Sequence, residues 1–284
     1  MLDLDPSRPA VTPRDASTVL VLRPSDSTRS VEVFCVVRHP RSGFLSGAVV
    51  FPGGKVDATD GDTAWEPLTT LPAPRSEVFE APNARARALA IAACRELLEE
   101  AAILPVVGDA IDDEAALSLR ATVREGALLR NELARRSLVL DVARLVPFAR
   151  WITPEAESRR FDARFYLLPL PPGQRGRHDA HETTTSFWAT PQSVLERWMA
   201  GEIQMAPPTT RALELLSSVA SIEEALALAR AQSLLPICPV FVPDENAPFL
   251  ALPGDPAHPV AERRVDGSTR FVLRDGRFVS ESPS

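Results

Sequence analysis

One stretch constrains this chain more than any other: a glycine turn followed, some forty residues on, by a helical run bearing three carboxylates. It opens as Gly47-Ala-Val-Val-Phe51-Pro52-Gly53-Gly54-Lys55-Val56-Asp57 and closes as Ala92-Ala-Cys94-Arg95-Glu96-Leu97-Leu98-Glu99-Glu100-Ala-Ala102-Ile103. Leu89 to Ala101 contains good helix formers and neither Gly nor Pro, which predicts a helix. On it Glu96, Glu99 and Glu100 stand at i, i+3 and i+4 and share one face. Two such charges about 6 Å apart repel by roughly 3 kcal/mol at an effective dielectric near 20. Arg95 neighbours the cluster but leaves it net negative, and hard divalent cations such as Mg²⁺ or Mn²⁺ prefer oxygen donors of this kind. Glu pairs also line ordinary solvated helix faces. What sets this one apart is Gly53-Gly54, a strand end turning tightly, where missing side chains expose backbone carbonyls and amides.

These residues resemble the Nudix box, G-x5-E-x7-R-E-U-x-E-E-x-G-U with U aliphatic. Gly54, Arg95-Glu96 and Glu99-Glu100 hold the matching positions, and Leu97 and Ile103 the aliphatic ones. Asp60 stands where the first Glu is expected, and Ala102 replaces the last Gly. Asp60 and Arg95 are 35 positions apart (95 − 60) instead of the usual 8, so an insert of about 27 residues, about 61–87, splits the box. A carboxylate remains at Asp60, and the change at Ala102 bears on the turn after the helix, not on the ligands. A split box led by G-x3-F-P-G-G resembles the branch of peroxisomal-type coenzyme A diphosphatases, and Gly47-x3-Phe51-Pro52-Gly53-Gly54 fits that lead. Some members of the branch carry an Arg four positions before this glycine, where Gly43 stands here. The likeness continues in Trp151-x-Thr153-Pro154, in Arg160-Phe161-Asp162-x-Arg164-Phe165, and in Gly201-Glu202-Ile203-x-Met205-x-Pro207-Pro208-Thr209.

The resemblance implies an α+β fold: a Nudix-type α/β/α sandwich with the insert inside its box and a small C-terminal β appendage. It implies metal-dependent hydrolysis of a diphosphate, with Mg²⁺ or Mn²⁺ held by Glu96, Glu99, Glu100 and the Gly54 carbonyl. Arg95 would orient the carboxylates by ion pairing; Glu99, Glu100 and Arg95 are therefore the catalytic candidates. Related enzymes place a Glu just before a Trp-ending strand opposite the box helix, which adds Glu182 as a base or outer metal ligand. Arg38 and Arg41 flank a turn at a strand end and are candidate phosphate contacts, since the guanidinium fork matches phosphate oxygens; Phe51 is a third candidate substrate contact. The substrate implied is coenzyme A or an acyl derivative. The alternatives are a broader nucleoside-diphosphate hydrolase acting on ADP-ribose, NADH or a capped nucleotide, and a module that binds a nucleotide without turning it over.

Composition narrows the setting. A net charge of −7 argues against non-specific nucleic-acid binding, while leaving an anionic substrate open where a cation and local Arg residues reverse the sign. Cys35, Cys94 and Cys238 are scattered, without zinc-site spacing, and suit a reducing cytoplasm. Neither a signal peptide nor a membrane span is expected, and the terminal Ser-Pro-Ser is not a peroxisomal tripeptide. His178 and His181 stand at i, i+3 in a loop, without the ligands a metal pair needs.

Along the chain, residues 1–15 read as a flexible N-terminus, 16–232 as the Nudix hydrolase domain and 233–284 as the appendage. The runs 17–23 and 31–38 predict a hairpin. The Pro-rich insert, with Trp65, predicts an irregular loop or short helix over the cleft edge. Two helices are predicted within 111–136, and strands over 145–152, 159–169 (entered by a basic turn at Arg159-Arg160) and 182–189. Helices follow from Thr190-Pro191, from Pro207, and from a capping box at Ser221 and Glu224. Short apolar runs near 240, 249, 270 and 277 predict the appendage strands, which could cover the sheet or serve a homodimer interface.

Overall fold

The computed structural model describes residues 3–26, 29–39, 46–79, 83–179, 183–245 and 247–283. Strands β1 (Arg14–Pro24), β2 (Val31–Arg38), β3 (Val49–Val50), β4 (Gly53–Lys55), β5 (Val146–Ile152), β6 (Phe161–Pro169) and β7 (Thr183–Ala189) form one sheet. β1 is its organising strand. One edge of it pairs parallel with β6, from Arg14↔Phe161 to Leu22↔Pro169. Its other edge is shared: residues 16–18 pair with β4 and residues 22–24 with β2, both antiparallel. β5 extends the sheet beyond β6, while β3 and β7 pair with β2. The first strand begins at Arg14, earlier than the predicted 17, because β6 supplies partners that its own sequence does not reveal.

Alternation along the strands sends side chains to two cores. Val19, Val21, Phe34, Val36, Tyr166 and Leu168 face one; Leu20, Leu22, Val33, Cys35, Phe165 and Leu167 face the other. Helices run α1 (Ser76–Phe79), α2 (Asn83–Ala101), α3 (Asp113–Arg124), α4 (Leu129–Arg135), α5 (Pro191–Met199), α6 (Pro207–Leu216) and α7 (Ile222–Ala231). The first core lies under α2, whose Ala90, Ala93 and Ala101 allow close approach, and takes in residues of α3 and α4. The second lies under α5, α6 and α7. The result is an α/β/α sandwich.

α2 starts at Asn83, ahead of the predicted Leu89, since Ala84-Arg-Ala-Arg-Ala88 is itself a run of good helix formers. Residues 83–87, expected in the insert, are therefore helical. A 3₁₀ turn, Ala58–Gly61, leads into the insert, whose remainder makes a second 3₁₀ turn, Thr63–Leu68, and the short α1. Trp65 and Phe79 enter the first core, Phe79 edge-on to Tyr166. Helix α7 is capped by Ser221, whose side chain accepts from the Glu224 amide. Glu224 returns its bond to the Ala220 amide, one residue before the position a strict capping box uses.

Strands β8 (Val240–Val242), β9 (Phe249–Ala251), β10 (Arg270–Arg274) and β11 (Arg277–Glu281) form a second, antiparallel sheet in the order β11-β10-β9-β8. It is held to the sandwich by Ile237, whose amide and carbonyl bond Arg150 and Ile152 at 2.8 Å each. Arg211 of α6, 1% exposed, forks onto the carbonyls of Asp266 and Ser268, both at 2.6 Å. Near the N-terminus, the amides of Asp3 and Asp5 bond Glu157 and the Ala156 carbonyl.

Candidate active site

The site is built where β4 meets α2. A Cβ on Gly53 would lie 2.3 Å from the Ser17 carbonyl oxygen, and one on Gly54 2.4 Å from the Glu96 carboxylate. Both distances are impossible for a side chain, so two glycines are what let this backbone press against β1 on one side and α2 on the other. The Gly53 amide donates to Glu100 Oε2 at 3.0 Å, and Glu100 is 4% exposed. The Ser17 hydroxyl ties β1 to the same helix through the Leu89 carbonyl at 2.7 Å.

Arg95 is the hub. Its Nε and Nη2 donate to the two oxygens of buried Asp60 at 3.1 and 3.0 Å, Nη1 to Glu96 at 2.8 Å, and Nη2 to the Lys55 carbonyl at 2.9 Å. Asp57 and Glu99 lie 3.5 and 3.6 Å from the same guanidinium. Burial alone would weaken the hold on its proton, but the bond to Asp60 and the charges of Glu96 and Asp60 outweigh that and raise its pKa above normal. It is a permanent cation. Asp60 in turn accepts from the Asp57 amide at 2.8 Å, so the carboxylate at the first box position fixes both the loop and the Arg. Five carboxylates (Asp57, Asp60, Glu96, Glu99, Glu100) and two cations (Lys55, Arg95) make up this ridge, and their formal charges leave it acidic.

A cleft of about 530 Å³ opens onto this ridge. Phe51, Gly54, Arg95, Glu96, Glu99 and Arg38 all line it. Glu100 is not among its walls and sits behind the turn, on the Gly53 amide. The Nε of Arg38 is buried and has no hydrogen-bond partner among the described residues. Arg41 and Glu182 lie outside the described residues, as does His181; His178 pairs with the Ser186 hydroxyl at 3.1 Å. The cleft also takes in Pro207, Pro208 and Thr209 at the start of α6. Other walls were not identified as site residues from sequence: Asp57 and Lys55 beside Arg95, and Trp151, Phe161 and Phe165 from β5 and β6. The usable signal was the Trp151-x-Thr153-Pro154 and Arg160-Phe161 pattern in a region with no box residue. Cys35 and Cys94 are buried, and burial pushes the Cys35 thiol up to about 12, so neither is a nucleophile here.

Among the described residues, no three His, Cys, Asp or Glu side chains stand gathered into a metal cage. Arg95 holds Glu96, and the Gly53 amide holds Glu100. The donor chemistry still suits a hard divalent cation: Glu96, Glu99 and Glu100 offer only oxygen, and the side-chain-free Gly54 backbone lies against the Glu96 carboxylate.

Comparison with known proteins decides the assignment. Residues 13–216 match the family described as the NUDT19 Nudix domain. The chain belongs to that family. It is a Nudix hydrolase, and the split sequence around Gly54 and Arg95 is its Nudix box. The chain is 28% identical to acyl-coenzyme A diphosphatase NUDT19 of Gallus gallus, over 92% of this chain and 85% of that one. It is 27% identical to the protein of the same name from Xenopus laevis, over 82% of this chain and 73% of the other. The crystal structure of a Nudix hydrolase from Alicyclobacillus acidocaldarius superposes with a TM-score of 0.64 at 28% identity, covering 76% of this chain and 96% of that one. No helix among the described residues is long and apolar enough to cross a membrane.

Proposed function

We propose that this Nudix hydrolase cleaves the diphosphate linkage of coenzyme A or acyl-coenzyme A, releasing adenosine 3′,5′-diphosphate and a phosphopantetheine. The observation that carries the reading is the Gly54–Glu96 packing under the Arg95 hub, at the edge of a cleft large enough for a nucleotide. The names of the two vertebrate relatives support the choice of substrate.

A diphosphate resists attack because its oxygens already carry negative charge. Glu96, Glu99, Glu100 and the Gly54 carbonyl would hold Mg²⁺ or Mn²⁺. When bound, such an ion supplies charge neutralisation and an acidified water. Arg95 keeps Glu96 and Glu99 aimed by ion pairing. Arg38, with its unpartnered Nε, and Arg41 bind phosphate oxygens, and Phe51 is a further substrate contact on the cleft wall. Glu182 serves as the base that takes the proton of the attacking water; a Glu182→Gln variant with unchanged turnover removes it from that role. In the balanced step, water oxygen bonds to one phosphorus and the bridging P–O bond breaks. The free thiols suit a reducing cytoplasm, which cell fractionation checks.

The test is a hydrolysis screen with Mg²⁺ or Mn²⁺, products resolved by mass, on coenzyme A, acetyl-coenzyme A, ADP-ribose, NADH and ADP-glucose. Preference for the coenzyme A pair, lost on chelation with EDTA, is expected. Preference for another compound keeps the Nudix chemistry and rejects the substrate. Binding without turnover makes the chain a nucleotide-binding module.

A further inference from the structure

The acidic ridge has a cavity on its other side as well. About 260 Å³ in volume, it shares Asp57, Arg95 and Glu99 with the large cleft, so these residues are a common wall between two spaces. One side of it is formed by Thr59, just ahead of the split-box insert, and by Trp65 of the insert; the other is formed by the turn joining α3 to α4 and the first residues of α4, through residues 126–130.

A diphosphate diester carries one substituent on each phosphorus. If the bond is cleaved over the ridge, the two substituents extend away from it in different directions, and two spaces are present to receive them. Their chemistry differs. Beyond the shared wall the smaller cavity is largely apolar, with Trp65, Val123, Ala127, Leu128 and Leu129. Its charged groups beyond that wall are Asp60, which grips Arg95, and Arg130, which is paired with Asp62. Among the described residues it offers a phosphate no uncommitted cation. The larger cleft offers Arg38 and Lys55 together with the aromatic faces of Trp151 and Phe161, which suit a phosphorylated base and ribose.

We propose that the smaller cavity, walled by the insert and the α3–α4 turn, is the subsite for the uncharged, amide-bearing arm of the substrate, leaving the nucleotide half to the larger cleft. This assignment rests on the diphosphatase reading above. Through Trp65 the insert then helps shape the pocket that distinguishes a coenzyme A-type substrate from diphosphates with a short or charged second half.

Calorimetry on the full chain with Mg²⁺ tests this, using the two half-products, 4′-phosphopantetheine and adenosine 3′,5′-diphosphate, each titrated in the presence and absence of the other. Two variants alter the cavity: Ala127→Trp fills it, and Leu128→Ala, at a residue 43% exposed, trims its rim. Thermal melts confirm that both fold. The wild-type protein should bind the two half-products together. Ala127→Trp should weaken phosphopantetheine about tenfold and Leu128→Ala a few-fold, with the nucleotide changed by less than about twofold. Unchanged phosphopantetheine affinity in Ala127→Trp, mutual exclusion of the two compounds, or a loss falling on the nucleotide instead would each overturn the assignment. Failure of the wild-type protein to cleave coenzyme A, with this binding pattern intact, sinks the proposed reaction and leaves the subsite standing.

Discussion

Gly54 has no room for even a methyl group, and that makes it the sharpest probe of the site. In Gly54→Ala the new Cβ would fall 2.4 Å from the Glu96 carboxylate, which must then leave its 2.8 Å bond to Arg95. Kinetics should show kcat/KM lower by about 100-fold or more while the melting temperature moves by only a few degrees. Wild-type kinetics would mean Glu96 has no placed role. Ala102 behaves in the opposite way. It sits after α2 at φ +52°, in the left-handed region, where the Nudix pattern has Gly and where Ala costs about 1 kcal/mol. It is fully buried, so its methyl recovers about 0.8 kcal/mol. Ala102→Gly should leave unfolding free energy unchanged or raise it by up to about 1 kcal/mol in denaturant titration; a larger loss contradicts this balance. At this scale the sequence was informative: Gly54, Arg95, Glu96 and Glu99 could be read as one unit because helix geometry and a glycine turn are local physics. That Glu100 turns back to the Gly53 amide was not legible, since that bond depends on how β4 docks against α2.

The elements divide in the same way. Helices α5, α6 and α7 announce themselves through Thr190-Pro191, Pro207 and Ser221, because capping and proline placement act within a few residues. The insert gave no such signal. Its 3₁₀ turn Thr63–Leu68 carries Pro67 internally, and what orders it is tertiary: Trp65, 3% exposed, in the first core, with its indole N–H on the Thr59 carbonyl at 2.9 Å. Trp65→Ala should therefore cost about 3–5 kcal/mol in denaturant unfolding, and a cost under about 1 kcal/mol would show the insert to be loosely held. The aromatic wall of the cleft was hidden for a related reason. Trp151 and Phe161 could be placed on strands, but not beside β1 until the parallel β1–β6 register was known.

On the scale of the molecule, two cores back a single sheet, and the second sheet reaches the cleft through Leu250, with Pro239 just ahead of it. That second sheet depends on Asp255, which receives Arg270 at 3.0 and 3.1 Å, the Ala257 amide at 2.9 Å and the Thr269 hydroxyl at 3.2 Å. Burial alone would raise its pKa, but these donors, Arg270 first, hold it below the usual 3.8. A folded-state value below the unfolded one means that its stabilisation is complete above about pH 4 and is lost as pH falls through the folded value. Asp255→Asn should cost about 3 kcal/mol near neutrality and flatten the acid limb of the stability curve; an unchanged limb would rule Asp255 out as its source.

The most direct test of the central claim is a mass-resolved, single-turnover assay of coenzyme A with the wild-type chain and with Glu99→Gln, whose side chain is 34% exposed and whose loss should spare the fold. If the ridge between α2 and the Gly53-Gly54 turn performs the chemistry, the wild-type chain yields adenosine 3′,5′-diphosphate and phosphopantetheine. Glu99→Gln should then be slower by about two orders of magnitude or more at an unchanged melting temperature. Equal rates in the two proteins, or intact coenzyme A in both, would contradict the account.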